Sequence, residues 1–244
     1  MLNIFRVWMR ELRWYISSPS SYIFLLLFLI ISSSLMIFLN RFFAFGVARL
    51  DGFFVYIPWL LLFFIPAIGM RLWAEEKKSG TIELLMTLPV LDLEVVLGKY
   101  FGALTLLLVA LVLTFPVPWM VAAMADPNTP LDWGPVFCAY LASFLLGAVI
   151  LGISAWVSSI TENQIIAFIL GCSITFALYL LGFPSMVSLL PDWLGSISSR
   201  LSPYQHFSSL YQGVIEVADI VYFLSAIVLF LYLNVRSIES RKWA

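Results

Sequence analysis

The sequence predicts an all-α, polytopic membrane protein with six transmembrane helices and both termini cytoplasmic, and three observations carry that expectation. Of 244 residues, 62% are hydrophobic and 11% charged, with mean hydropathy +1.02, whereas a soluble domain carries roughly a quarter charged residues. Six apolar segments approach or exceed the about 20 residues that cross ~30 Å of hydrocarbon at ~1.5 Å per residue. Lys and Arg are divided unevenly between the two sides that six crossings define. Lipid admits only helices and closed barrels, and these unbroken apolar runs lack the alternation of barrel strands.

Residues 1–16, MLNIFRVWMRELRWYI, place Ile4, Val7, Trp8, Leu12 and Tyr15 on one helical face, with Arg6, Arg10 and Arg13 forming a basic stripe. Two compatible readings are open. One is a helix lying in the cytoplasmic interface, anchored by Arg6, Trp8, Arg10 and Arg13; the other is charge that sets topology. The spans are expected near 21–39, 53–72, 95–123, 134–158, 164–183 and 220–235. The first is expected to stay as an anchor, because its apolar stretch exceeds a signal-peptide core and no small-residue cleavage site follows.

After the second span, residues 74–89 leave the membrane, because Glu75, Glu76, Lys77 and Lys78 each cost several kcal/mol in hydrocarbon. Ser79 and Gly80 break the helix, Thr81 to Leu88 restart it with Glu83 in the first turn, and Pro89 ends it. Its Ile82, Leu84, Leu85, Met86 and Leu88 are too apolar to stay uncovered and too few to span. A protein partner is expected to cover them, with an interfacial helix on lipid headgroups as the alternative. Asp126 to Asp132 read as an external turn. Residues 184–219 read as external re-entrant or interfacial helices forming a lid, or as a surface loop with aromatics dipping into the membrane.

One side of this arrangement receives Arg6, Arg10, Arg13, Arg71, Lys77, Lys78, Lys99, Arg236, Arg241 and Lys242, and the other only Arg41, Arg49 and Arg200. The positive side is the cytoplasmic one. Glu94, Lys99 and Glu162 are expected at or near the cytoplasmic ends of spans, which leaves hydroxyls as the main polar groups at depth. Ser32 to Ser34, Thr105, Thr114, Ser143, Ser154, Ser173 and Thr175 are expected to bond helix backbones. An ion-coupled carrier or channel usually needs charges there, so any work the protein does draws its energy from elsewhere.

Other chemistries are narrowed by what the chain contains. Cys138 and Cys172 sit in apolar runs and read as packed small hydrophobes. His206 is the single histidine, which removes His-rich zinc sites and HExxH chemistry. There is no GxSxG elbow and no GxxxxGK[ST] phosphate loop, so neither serine hydrolysis nor nucleotide hydrolysis by the usual route is expected. A net charge of −1 without a long basic stretch gives no footprint for nucleic acid. Gly98 and Gly102, and Gly147 with Gly152, are expected to permit close helix packing.

Glu75 to Pro89, EEKKSGTIELLMTLP, together with six spans and an interfacial first helix, resembles the membrane subunit of ABC-2 type transporters, in which E-[KR]-x-x-G-T-x-E-x-L follows the second span. Glu76, Lys77, Gly80, Thr81, Glu83 and Leu85 match that pattern. Ser202 to Phe223, SPYQHFSSLYQGVIEVADIVYF, is similar to the gliding-motility-type branch of these permeases. The resemblance covers essentially the whole chain. It implies that Thr81 to Leu88 is a coupling helix docked on a separate cytoplasmic ABC ATPase, with Leu84, Leu85 and Met86 at the contact, Glu83 as charge partner and Gly80 at the bend. It implies no catalytic residue and no directly bound cofactor in this chain, ATP and Mg residing on the ATPase. It further implies a dimer with a second copy or a related permease, lipid contact, an accessory extracytoplasmic protein, and a multi-pass location in a bacterial inner membrane. Export is the expected function; a membrane scaffold or assembly factor that borrows a partner ATPase is the alternative.

Overall fold

The computed structural model describes residues 2–39, 50–82, 90–125 and 130–241, and all regular structure among them is helical. In chain order the helices are α1 (Leu2–Ser17), α2 (Pro19–Leu39), α3 (Asp51–Gly69), α4 (Arg71–Lys78), α5 (Asp92–Leu113), α6 (Pro116–Met124), α7 (Trp133–Ile160), α8 (Gln164–Leu180), α9 (Pro184–Val187), α10 (Asp192–Leu201), α11 (Pro203–Tyr211) and α12 (Val217–Arg241). Five stretches are long and apolar enough to cross a membrane: Pro19–Ile37, Gly52–Lys78, Asp92–Met124, Trp133–Ile160 and Val217–Ser240. The fifth expected span, 164–183, is realised as a 17-residue apolar helix, α8. It stops early because Gly182 lies against Ser202, where a Cβ would meet the serine Cβ at 2.5 Å. Pro184, which cannot donate a backbone hydrogen bond, starts the next helix.

The helix breaks are written locally. Pro58 and Pro66 lie inside α3, and the proline at 66 lacks the amide that would bond back to residue 62; four residues later the chain turns at Met70 and restarts as α4. Gly80, with φ of 72°, ends that helix in the left-handed region that glycine enters without strain. The 95–123 span is divided at Thr114–Phe115, where Pro116 opens α6.

α7 is the hub of the bundle, packing against α3, α4, α5, α8, α11 and α12. Small residues set the close approaches. At one crossing a Cβ on Gly69 would stand 2.4 Å from the Ser154 Cβ, and one on Gly171 3.4 Å from Pro66, so α3, α7 and α8 meet backbone to backbone. Gly147 receives Leu107 of α5, and the Tyr100 hydroxyl donates to the Ala148 carbonyl at 2.8 Å beside it. Ser143, Ser154 and Thr175 donate to carbonyls one turn back in their own helices, which satisfies these hydroxyls without a partner helix.

α1 lies along α5, in the groove formed by Gly98 and Gly102. A Cβ at Gly98 would meet Val7 at 2.6 Å, and one at Gly102 would meet the Glu11 Cβ at 2.6 Å. The GxxxG pair therefore receives an amphipathic helix from the same chain. Its partner face carries Val7, Trp8, Glu11 and Tyr15, while Arg6, Arg10 and Arg13 face outward.

Between α8 and α12 the chain forms three short helices. α11 buries Phe207 and Leu210 against the bundle, and Gly213, with φ of 88°, turns beside Pro135. Residues 126–129 of the expected external turn lie outside the described residues; Asp132 caps α7 by accepting from Gly134 N at 3.0 Å. Arg41, Arg49 and Lys242 of the charge comparison also lie outside them.

Candidate coupling site

At one end of the bundle α1, α4, α5 and α7 converge around Lys99. The sequence reading placed Lys99 at or near a span end; the structure buries it, with 3% of its side chain exposed. The reason is α1, which covers the turn of α5 that would otherwise let the ammonium reach water. The Lys99 Nζ donates to Glu76 Oε1 at 2.7 Å, to the Leu72 carbonyl at 3.0 Å and to Glu11 Oε1 at 3.4 Å. It also stands 5.1 Å from the centre of the Trp73 ring, a cation–π distance. Three helices are thus tied through one ammonium.

The cluster extends outward. Arg10 Nη2 lies 3.0 Å from Glu11 Oε1 and 3.5 Å from Glu76 Oε1, with half of its side chain exposed. Glu75 and Arg71 line the same cavity of about 180 Å³ together with Tyr15. Burial pushes the Tyr15 phenol well above its usual range, with the Glu11 and Glu75 carboxylates adding and Arg71 opposing. Arg71 Nη1 donates to Ser20 Oγ at 2.6 Å, which brings the start of α2 to the same place. Among the described residues Arg71 Nε and Glu76 Oε2 have no hydrogen-bond partner although both are buried.

α4 is held to α7 by Ser158. Its Oγ accepts from Trp73 N at 3.2 Å and Ala74 N at 3.1 Å, and donates to the Met70 carbonyl at 2.8 Å. Those two amides belong to the first turn of α4, where a helix has no carbonyl of its own to offer them. A serine on α7 therefore serves as the cap that Met70 cannot supply. Lys77 Nζ donates to the Ser159 carbonyl, which also accepts from Ser237 Oγ of α12 at 3.4 Å.

The remaining expected positions divide clearly. Lys78, Gly80 and Thr81 are exposed, with the Thr81 hydroxyl bonded to Ser79 Oγ and the Glu76 carbonyl; the chain is again helical at Thr81 and Ile82. Glu83, Leu84, Leu85 and Met86, with the rest of 83–89, lie outside the described residues. Of the expected anchors, Arg10 joins the cluster, Arg6 and Arg13 stay at the surface, and Trp8 Nε1 donates to Thr105 Oγ1 at 3.0 Å.

Sequence reasoning missed Lys99 and Glu11 as site residues. A signal existed for Glu11, which continues the spacing of Ile4, Val7, Trp8 and Tyr15 and so falls on the face that packs. Lys99 sits inside G-K-Y-F-G, where a close-packing motif carries a charge into the interface. Among the described residues no three His, Cys, Asp or Glu side chains converge to hold a metal ion.

A family model described as ABC-2 family transporter protein matches residues 30–238. No curated protein matches the chain.

Proposed function

Since the chain belongs to the ABC-2 transporter family and is a multi-pass membrane permease component of an ABC transporter, we propose that it couples ATP hydrolysis by a separate cytoplasmic ATPase to export across a bacterial inner membrane. In this reading six helices cross the bilayer, α8 among them, and both termini are cytoplasmic. The segment 74–89 is the coupling element: Leu84, Leu85 and Met86 insert into the ATPase, Glu83 meets a cation there, and ATP and Mg are bound by that subunit alone. A second permease copy, or a related one, completes the pathway. The likeness of Ser202 to Phe223 to gliding-motility-type permeases supports placing the chain in that branch.

One observation carries the reading from docking to motion: α4, which leads into the segment, is fastened to α5 and α1 through Lys99 and to α7 through Ser158. A push on 83–89 reaches three helices through contacts of 3.4 Å or less. ATP-driven closure of the ATPase pair then shifts the population between permease arrangements, because the docked ATPase favours one of them. The exposed α1 arginines fit an anionic headgroup layer on the same side.

The test is affinity purification of the tagged protein in mild detergent beside a Glu83→Lys/Leu85→Asp variant, with bound proteins identified by mass spectrometry. The expected result is a stoichiometric P-loop ATPase lost in the variant. An ATPase retained undiminished by the variant removes the docking assignment, and absence of any ATPase from the wild type removes the coupling reading altogether.

A further inference from the structure

At the end of α12 remote from the Lys99 cluster, the single histidine of the chain bridges two oxygens at once. Asp219 lies in the first turn of α12 and Arg236 in its last part, ~25 Å apart at ~1.5 Å per residue. His206 Nδ1 lies 2.6 Å from Asp219 Oδ1, and His206 Nε2 lies 3.0 Å from the Arg200 carbonyl oxygen. A carbonyl oxygen accepts and never donates, so Nε2 carries a proton. Asp219 is 4% exposed and its second oxygen, Oδ2, is buried without a partner among the described residues.

We propose that His206 and Asp219 form a proton-binding site that fastens α10 and α11 onto the foot of α12, and that loss of this proton releases them. With both ring nitrogens protonated, imidazolium donates to α12 through Asp219 and to α10 through Arg200, and its charge neutralises the buried carboxylate. Neutral imidazole keeps one N–H. Whichever acceptor it serves, the other faces a lone pair, and Asp219 is left as an uncompensated anion, itself buried and with one oxygen out of reach of solvent. Removing the partner of a buried charge is strongly destabilising, and relief comes from opening the contact to water. The fastened arrangement therefore holds one proton more than the released one. By linkage, lower pH favours fastening and rising pH favours release.

The surroundings leave this proton in control. From α12 the Tyr222 ring stacks on His206 at 4.0 Å and 20°, with its hydroxyl given to the Leu201 carbonyl at 2.6 Å. From α10, Arg200 offers its carbonyl, and Glu216 lies in the turn before α12. α7 and α8 pack against the same α11 and contain no Asp, Glu, Lys or Arg; their titratable side chains toward this end are Cys138, Tyr140, Cys172 and Tyr179, and Asp132 is occupied in capping α7. Among the described residues no ion pair other than the one with Asp219 is made by His206.

Because His206 is the only histidine, ¹⁵N-histidine labelling of the intact protein in lipid nanodiscs gives one ring to follow by NMR. The expected result is a doubly protonated ring that loses one proton over an interval of rising pH that the spectrum itself locates. Hydrogen exchange of 198–211, corrected for intrinsic rate, should rise at least tenfold across the same interval. Asp219→Asn and His206→Gln should each make that exchange independent of pH. A ring neutral throughout, or an exchange step that survives in both variants, overturns the proposal. The wild-type ring spectrum decides the first point even if a variant fails to fold.

Discussion

Replacing Lys99 by methionine, which keeps the length of the side chain and removes its charge, tests whether the ammonium holds α1, α4 and α5 together. At the observed 2.7 and 3.4 Å to Glu76 and Glu11, unit charges in an effective dielectric of about 20 attract by ~6 and ~5 kcal/mol. Burying an ammonium that is 3% exposed offsets much of this, since desolvation costs several kcal/mol per ion. The variant also leaves two carboxylates facing one another with only the half-exposed Arg10 guanidinium beside them, and breaking a buried pair on one side costs ~3–5 kcal/mol. Glu76 keeps 22% of its side chain exposed, which puts the expected loss at the lower end, about 3 kcal/mol. For a chain of this size that corresponds to a fall in Tm of about 6–12 °C. Thermal unfolding in detergent, followed by the fluorescence of the 9 tryptophans, measures it. In a double-mutant cycle, adding Glu76→Gln to Lys99→Met should cost less than Glu76→Gln alone, with a coupling of about 2 kcal/mol. A Lys99→Met protein melting within about 1 °C of wild type, or strictly additive effects, would refute the reasoning.

Other substitutions test the neighbouring contacts. Gly98→Leu inserts a Cβ at 2.6 Å from Val7 and 3.1 Å from the Ile4 carbonyl; it should cost about 1–3 kcal/mol by overpacking and raise hydrogen exchange through α1, while exchange in α8 stays unchanged. Ser158→Ala leaves the Trp73 and Ala74 amides without their acceptor and should cost about 1–3 kcal/mol, read as a lower Tm with exchange rising first in 71–78. Tyr15 is neutral in the folded protein and its phenol is pushed up by burial. Its contribution is therefore complete below about pH 10, the ordinary phenol range, and is lost as pH rises further; Tyr15→Phe should flatten the alkaline part of a Tm-against-pH curve.

The helices were legible because long apolar runs have few other forms available in lipid, and the end of α8 shows where that reasoning stops. Composition continues smoothly through Leu180, Leu181, Gly182 and Phe183; what ends the helix is the approach of Ser202, twenty residues later, to a glycine that alone leaves room. The Gly98–Gly102 motif announced a close contact without naming the partner, since spacing defines a face and not its occupant. Lys99 was read from its distance along the span to the water. That reasoning omits a helix from elsewhere in the chain lying over the same turn, and α1 is that helix. Glu11 was within reach of the sequence, because a lone carboxylate on an otherwise apolar face needs a buried cation, and α5 holds one.

The two polar nodes differ in what they ask of the bundle. The Lys99 cluster joins α1, α4 and α5 through one buried ammonium, so it moves as a unit or breaks at a cost of several kcal/mol. The His206 node rests on one proton shared between α11 and α12, and its strength follows the solution around it. α7 connects them: it is 28 residues long, ~42 Å at ~1.5 Å per residue, it carries no charged side chain, and it touches α4 near its C-terminal end through Ser158 while α11 packs along it. A packed helix of this kind transmits displacement better than it absorbs it. The compliant points are instead Met70, between α3 and α4, and Thr114–Phe115, between α5 and α6, where the backbone ladder is already interrupted. Motion driven at α4 is therefore expected to bend the chain at those two places while α7 keeps its length, which distance measurements between labels at 136 and 157, against labels at 60 and 76, can separate.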